Sequence, residues 1–235
     1  MLKSLLKRFT SFVIDSFYPP FCWVCGGALD TGGGLCSTCN EGIIVIENFC
    51  NRCGSLQSQS VPSCSKCSSK RLPYERSRSL FRYDGVFRKL LIAHKYAGDT
   101  AATAIIKRLL LERFSSLDFQ VDSVVPVPQD SKRLKKRGYD HLAPFAKIVS
   151  QRFLGDVPIL HILRKKFSTP PQASLSDAMR KRNIIGAFEV TSTSLPKKSR
   201  VLLFDDVLNT GATIKECAKT LKKSGYIVNV LTLSR

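Results

Sequence analysis

The apolar positions at the start of the chain repeat with a helical period. Leu2, Leu5, Leu6, Phe9, Phe12, Val13 and Phe17 recur at short helical steps, with Lys3, Lys7, Arg8 and Asp15 between them. This pattern predicts an amphipathic helix over residues 1–20, closed by Pro19-Pro20. Its apolar face suits packing on the chain's own domain, and a membrane surface is the alternative. The charges break up the uninterrupted block that a secretory signal requires. No stretch approaches the ~20 apolar residues of a membrane span.

Residues 21–72 follow a different pattern, rich in Cys, Gly and Ser. From residue 73 onward, helical and strand patterns alternate. Leu80–Tyr83 reads as a strand, and Val86–Lys95 and Ala101–Phe114 read as helices. Val121–Val127 is an apolar run that fits a buried strand. Leu142, Phe145, Ala146, Val149 and Phe153 form a helical stripe, and Pro158–Leu163 reads as a second buried strand. Val201–Phe204 is a third, with Asp205-Asp206 after it. Ile214, Cys217, Ala218 and Leu221 give a last helical stripe, ended by Gly225, and Tyr226–Leu233 is β-rich. Strands alternating with helices indicate an α/β fold of βαβ units around a mostly parallel sheet. The expected organisation is a helix at 1–20, a cysteine-rich region at 21–72 and an α/β domain at 73–235 with its core at 121–235.

Composition adds a charge and a metal to this picture. Lys+Arg is 37 against Asp+Glu 18, a formal net charge of +19. Such an excess draws in polyanions: nucleic acid, phosphorylated small molecules or acidic lipid. Eight of nine cysteines form four C-x-x-C pairs: Cys22/Cys25, Cys36/Cys39, Cys50/Cys53 and Cys64/Cys67. Cys22 to Cys50 and Cys39 to Cys67 are the same step, 28 residues, so the region is a tandem repeat. Two C-x-x-C turns complete one tetrahedral zinc shell, so two structural Zn2+ ions are expected. Closure within each repeat spans the shorter loop, and crossed pairing is the alternative. Cysteines used for metal indicate a reducing, cytoplasmic compartment.

The segment Val201–Thr213 joins a buried strand, two carboxylates and the loop Asn209-Thr210-Gly211-Ala212-Thr213 before a helix. Strand ends of open α/β sheets bind ligands, and helix amino termini bind phosphate. Two acids beside a phosphate loop suit a sugar phosphate, because the sugar hydroxyls need acceptors. The segment lacks the G-x-x-x-x-G-K-[ST] pattern of a Walker loop. Basic runs at Lys132–Arg137, Arg164–Lys166 and Arg180–Arg182 suit solvated loops, a pyrophosphate or a nucleic-acid backbone. His94, His141 and His161 show no metal spacing.

Val201–Thr213 resembles the signature of type I phosphoribosyltransferases that binds 5-phosphoribosyl 1-pyrophosphate (PRPP). Nearly the whole chain resembles the ComF family of competence-associated phosphoribosyltransferase-like proteins. The resemblance is carried by the cysteine pairs, Leu80–Gly85, His94–Gly98, Pro126-Val-Pro128, Arg137-Gly-Tyr139, Thr169–Gln172, Arg180–Asn183 and Gly186-Ala-Phe188. It implies a type I phosphoribosyltransferase fold preceded by a double zinc ribbon. Asp205 and Asp206 would meet the ribose hydroxyls, and Asn209, Thr210, Gly211, Ala212 and Thr213 the 5-phosphate. Lys95 and Arg137 would add PRPP contacts, with Mg2+ on the pyrophosphate. Ser168–Asp177 resembles the mobile loop of this fold. Lys132, Arg133, Lys135 and Lys136 are the candidate nucleic-acid contacts. The chain departs from the family pattern at Gln129-Asp130, where a hydrophobic residue and His are usual. It departs again at Asp140-His141, usually Asn-Gln, and at Asn209, usually Thr.

Two functions follow from the resemblance. One is a glycosyltransferase that moves phosphoribosyl from PRPP to an acceptor, acting in DNA uptake and natural transformation. The other is a non-catalytic competence protein that binds single-stranded DNA and keeps a ribose-phosphate site. DNA-uptake helicase or recombination proteins are the expected partners.

Overall fold

The structure is a computed structural model, and it describes residues 21–29, 34–166, 184–191 and 195–235. The amphipathic helix at 1–20, the Ser168–Asp177 loop and the Arg180–Arg182 run lie outside the described residues. The chain forms two compact units. The first runs to Ile44 and resumes over Asp84–Leu110; the second comprises Val45–Tyr83 and Leu111–Arg235. The two halves of the cysteine repeat therefore belong to different units.

In the first unit, Phe21 and Ala28 pair antiparallel and lead to α1 (Ser37–Glu41). The Cys36 sulfur caps α1, accepting from the Cys39 amide at 3.5 Å. The next helix, α3 (Gly85–Ile92), buries Phe87, Leu90 and Leu91 and continues as a π-helical turn, Ala93–Ala97. In α4 (Thr100–Arg113), Ala102, Ile105, Ile106, Leu109 and Leu110 form the buried stripe. Asp99 caps α4 through the Ala102 amide at 2.8 Å and accepts from Trp23 Nε1 at 2.9 Å. One carboxylate thus ties the first ribbon to that helix.

The second unit is built on four parallel strands. They are β1 (Ser77–Phe81), β2 (Ser123–Pro126), β5 (Arg200–Val207) and β6 (Ile227–Ser234), in the order β1-β6-β5-β2. Val201–Phe204 and Val124–Val125 are fully buried, which is why their apolar runs read as core strands. Register is set by pairs such as Val125↔Leu203 and Asp205↔Thr232. The crossover α7 (Ala212–Lys223) joins β5 to β6 and buries Ile214, Cys217, Ala218 and Leu221. Cys217 is a fully buried core residue. Beyond β2 lie α5 (Ser131–Arg137) and α6 (Ala143–Ile148), the latter continued by a π-helical turn at Val149–Phe153.

Pro158–Leu163 is not one strand. Ile159 bridges Val124 in parallel at the sheet edge. Further on, β3 (Leu163–Lys165) pairs antiparallel with β4 (Phe188–Val190) in a separate two-stranded sheet. The apolar run feeds two partners, and a local pattern cannot announce that.

The second ribbon also belongs to this unit. Phe49 pairs with Leu56, Cys50 pairs with Val61, and α2 (Ser65–Ser68) carries the last C-x-x-C pair. Gly54 has φ 69°, and a Cβ there would stand 2.9 Å from the Ser77 carbonyl oxygen. Only glycine permits both that conformation and that approach to β1. The Ser77 amide donates to Asn51 O at 3.1 Å, and the Arg78 guanidinium lies 5.3 Å from the Phe49 ring centroid.

Candidate functional site

The two cysteine sets close within their own repeats: Cys22, Cys25, Cys36 and Cys39, then Cys50, Cys53, Cys64 and Cys67. Thiolates at the usual Zn–S distance of about 2.3 Å stand about 3.8 Å apart in a tetrahedron. The Sγ atoms of Cys25 and Cys36 are 3.7 Å apart, and those of Cys53 and Cys64 are 3.9 Å apart. All four sulfurs of each set lie within 4.8 Å of one another. The donors and their spacing fit structural zinc, and the local pairing is the one found.

Each set mixes acidic and weakly acidic thiols. Burial pushes Cys22 up, but amide hydrogen bonds from Cys25, Cys36 and Val24 outweigh it and hold it at about 6. Cys39 is pushed up to about 12, by burial first and then by its hydrogen-bonded cysteine neighbours. In the second set, burial again opposes the shift of Cys64, and hydrogen bonds from Cys67, Cys50 and Ser55 bring it to about 6. Cys67 is raised, by burial and then by Cys53 and Cys64.

Asp205 and Asp206 lie within the last three residues of β5 rather than following it, since β5 extends to Val207. Adjacent strand residues point to opposite faces. Asp205 is half-buried and Asp206 is 4% exposed. Burying a carboxylate requires partners. One of its partners comes from the segment after β2, which runs beside β5 and donates Val127 N to Phe204 O at 2.8 Å. His141 Nε2 donates to Asp206 Oδ2 at 3.1 Å. Arg137 Nη1 donates to His141 Nδ1 at 2.6 Å, which leaves the Nε2–H to face Asp206. The same Nη1 donates to Gln129 Oε1 at 2.9 Å, and Gln129 Nε2 bonds Asp140 Oδ1. The Arg137 guanidinium lies 5.9 Å from the Tyr139 ring centroid.

The basic run before Arg137 has a different placement. Asp130 caps α5, accepting from Lys132 N at 3.1 Å and Arg133 N at 3.4 Å. Its other oxygen pairs with Lys165 Nζ at 3.5 Å. Burial pulls the Lys165 ammonium below its ordinary range, against the opposing charge of Asp130. Lys132, Arg133, Lys135 and Lys136 are exposed, while Arg137 turns inward. Gly138, at φ 80°, ends the helix and allows that turn.

Past β5, Leu208 donates its amide to Ser234 O at 2.8 Å. Asn209 and Thr210 lead to Gly211, whose φ of 73° starts α7 in the left-handed region. Thr210 Oγ1 lies 3.4 Å from the Ala212 amide, and Ala212 and Thr213 form the first turn. A first turn presents amides without helical partners and the positive end of the dipole. The structure thus places Asp205, Asp206, Asn209–Thr213 and Arg137 at the carboxyl ends of adjacent strands and their following loops. Lys95 belongs to the first unit, on the π-helical turn beside His94, whose Nδ1 pairs with Thr103 Oγ1 at 2.7 Å. Sequence reasoning missed the network role of Gln129, Asp140 and His141. The available signal was their departure from the ComF pattern.

Among the described residues, no helix is long and apolar enough to cross a membrane. The double zinc ribbon family matches residues 13–70, and the phosphoribosyl transferase domain family matches residues 98–233. DNA utilization protein YhgH from Escherichia coli (strain K12) is 28% identical over 215 residues, covering 88% of this chain and 92% of the relative. Competence protein F from Haemophilus influenzae is 29% identical over 220 residues, covering 89% and 94%. Competence protein ComFC from Streptococcus pneumoniae is 24% identical over 194 residues, covering 81% and 82%. With two four-cysteine sets ahead of a parallel sheet that ends in an acidic pair and a phosphate-type loop, the chain belongs to the phosphoribosyl transferase domain family, and its relatives are named for competence and DNA utilization.

Proposed function

We propose that this chain binds PRPP with Mg2+ at the end of β5 and transfers its phosphoribosyl group in the course of DNA uptake and natural transformation. The observation that carries this reading is the sequence of groups from Asp205 to Thr213. Two carboxylates stand at the ligand edge of the sheet, and a glycine-started helix follows after a short loop. Asp205 and Asp206 accept from the ribose hydroxyls, and the Asn209–Thr213 loop takes the 5-phosphate. Arg137 faces the pyrophosphate side, and Lys95 is a further candidate contact.

Carboxylate oxygens are hard donors and fit Mg2+, which neutralises charge on the pyrophosphate when bound. In the transfer, the bond from C1 to the pyrophosphate oxygen breaks and the pyrophosphate keeps the electron pair. A lone pair of the acceptor forms the new bond at C1. Positive charge develops on the sugar, and the carboxylate charge of Asp205 and Asp206 at the end of β5 stabilises it. His141 Nε2 holds Asp206 Oδ2 in place by a hydrogen bond of 3.1 Å.

A second reading is favoured by the exposed Lys132, Arg133, Lys135 and Lys136. The protein would then bind single-stranded DNA without transfer, retaining the sugar-phosphate site as a ligand sensor. Helicase or recombination partners and a cytoplasmic location fit both readings. Calorimetry with PRPP and Mg2+ tests the site, and pyrophosphate release with a panel of bases separates the two readings. Absence of PRPP binding by the folded, zinc-loaded protein overturns the first.

A further inference from the structure

Within the second unit, a cavity of about 310 Å³ borders the phosphate-type loop on the side of Leu208–Gly211. Its other wall is the second zinc ribbon. Lys66, Lys70, Lys215 and Arg235 line it, and the described lining residues include no carboxylate side chain. Arg235 also donates to Cys53 O, so its guanidinium is tied to the ribbon backbone. A shallower depression shares Leu72 and Lys215 with the cavity and adds Arg71, Lys219, Lys222 and Lys223. Glu216 lies in that depression, where it accepts from the Gly186 amide at 2.8 Å. The lysines of α7 lie opposite its buried stripe and are exposed. A basic path therefore leads from the outer face of α7, past the ribbon, to the loop.

PRPP makes no use of this path. Its 5-phosphate is a terminal monoester, and nothing continues beyond it. Cations lined up past the loop suit a ligand that continues through its 5-phosphate as a diester. The carboxylates limit the other end of such a ligand. Asp205 and Asp206 require a free hydroxyl, and a phosphate esterified to that hydroxyl would be repelled. An internal nucleotide carries a 3′-phosphodiester, and so does the 5′-terminal nucleotide of a strand. Only the 3′-terminal nucleotide combines a free 3′-hydroxyl with a 5′-phosphodiester.

We propose that the phosphoribosyl site receives the 3′-terminal nucleotide of single-stranded DNA, with the preceding strand running through the basic cavity and along α7. This inference rests on the reading that Asp205–Thr213 holds a sugar 5-phosphate. The 3′-hydroxyl lies on the acidic pair, the first phosphate on the loop, and the next phosphates against Lys66, Lys70, Lys215 and Arg235. The site then distinguishes a strand's two ends, which a purely electrostatic surface cannot do.

The test uses the full zinc-loaded chain and an oligothymidylate labelled at its 5′ end, with either a 3′-hydroxyl or a 3′-phosphate. Fluorescence anisotropy should show the 3′-hydroxyl strand binding roughly tenfold or more tightly. PRPP with Mg2+ should remove that advantage and leave the residual binding in place. The double variant Lys66→Ala/Lys70→Ala should weaken the 3′-hydroxyl strand severalfold. PRPP affinity of the unaltered protein is measured alongside. If PRPP binds and the two ends bind equally, this inference fails while the site reading stands. If PRPP does not bind, the site reading fails and takes this inference with it.

Discussion

The two zinc ribbons share one cysteine spacing and differ in what surrounds them. The first borders an apolar hollow lined by Phe21, Trp23, Ala101, Ala104 and Ile105, with Arg108 at its side. Its contacts are those of a structural brace, centred on the Trp23–Asp99 bond to the cap of α4. The second ribbon is the more buried at its sulfurs, with Cys50, Cys64 and Cys67 enclosed, and it walls a basic cavity next to a phosphate-type loop. The cysteines dictate the metal and the turn, and the residues around them decide what the turn is used for. In one copy these are aromatic and small; in the other they are Ser55, Gln57, Lys66 and Lys70.

The strongest way to break this comparison is to remove one ligand from each ribbon. Cys22→Ser and Cys50→Ser should each lower bound zinc from two equivalents to about one by elemental analysis. Because structural zinc binding is folding free energy, each should destabilise its own unit by several kcal/mol. Cys50→Ser should also abolish measurable PRPP binding, with a smaller fall for Cys22→Ser. Equal falls would erase the distinction between the two ribbons.

Next in size is the acidic pair. Asp205→Asn/Asp206→Asn should weaken PRPP roughly tenfold to a hundredfold in calorimetry, through the loss of charged hydrogen bonds of about 1.5–3 kcal/mol each. The ribbon comparison gives this a second readout. Saturating PRPP should slow chelator extraction of one zinc, that of the second ribbon, and the double variant should lose that protection. Protection of both metals to the same degree would count against a ligand role specific to the second ribbon.

Acid should reveal what the ribbons share. Without metal, Cys39 is pushed up to about 12 and Cys67 is also raised, so both keep protons at neutral pH. Zinc must displace them, so its affinity falls as pH falls, by about tenfold per pH unit for each proton. Cys22 and Cys64, both at about 6, begin to hold protons below that pH, and the fall should then steepen in both ribbons alike. Competition titrations between pH 8 and 5 measure it. A flat profile in either ribbon would contradict this assignment of protons.

The smallest effect concerns the other basic surface. Neutralising Lys132, Arg133, Lys135 and Lys136 should weaken single-stranded DNA severalfold and reduce the salt slope by about 0.7 for each phosphate the protein no longer neutralises. Neutralising Lys219, Lys222 and Lys223 should have the larger effect on strands with a free 3′-hydroxyl. The reverse ranking would move the strand away from the second ribbon.

Much of this was legible in the sequence, for identifiable reasons. Val201–Phe204 and Val124–Val127 are unbroken apolar runs because parallel strands are buried on both faces. The cysteine spacing is a direct image of tetrahedral coordination. The amino-acid pattern could not show that α3 and α6 end in π-helical turns, because a turn widened by one residue leaves the helical stripe almost unchanged. It also could not show that Pro158–Leu163 serves two sheets, since partner choice is a tertiary matter. The candidate site was half visible. The acids and their loop are contiguous, whereas Gln129, Arg137, His141 and Asp206 meet only when the ends of β2 and β5 are side by side.

The chain of hydrogen bonds from Gln129 to Asp206 also has an evolutionary consequence. Gln129, Asp140 and His141, three of the residues that depart from the ComF pattern, are hydrogen-bonded through Arg137 or to one another, and His141 reaches Asp206. Asp130, another of them, caps the neighbouring helix. Exchanging one of the three would leave a donor or acceptor of this part-buried network unmatched, so changes at these positions are physically coupled. A chimera that took residues 129–130 from a relative and kept 140–141 would inherit half of two different solutions. The same holds for ancestral reconstruction: the order in which these changes were accepted is constrained by which intermediate still presents an Nε2–H to Asp206.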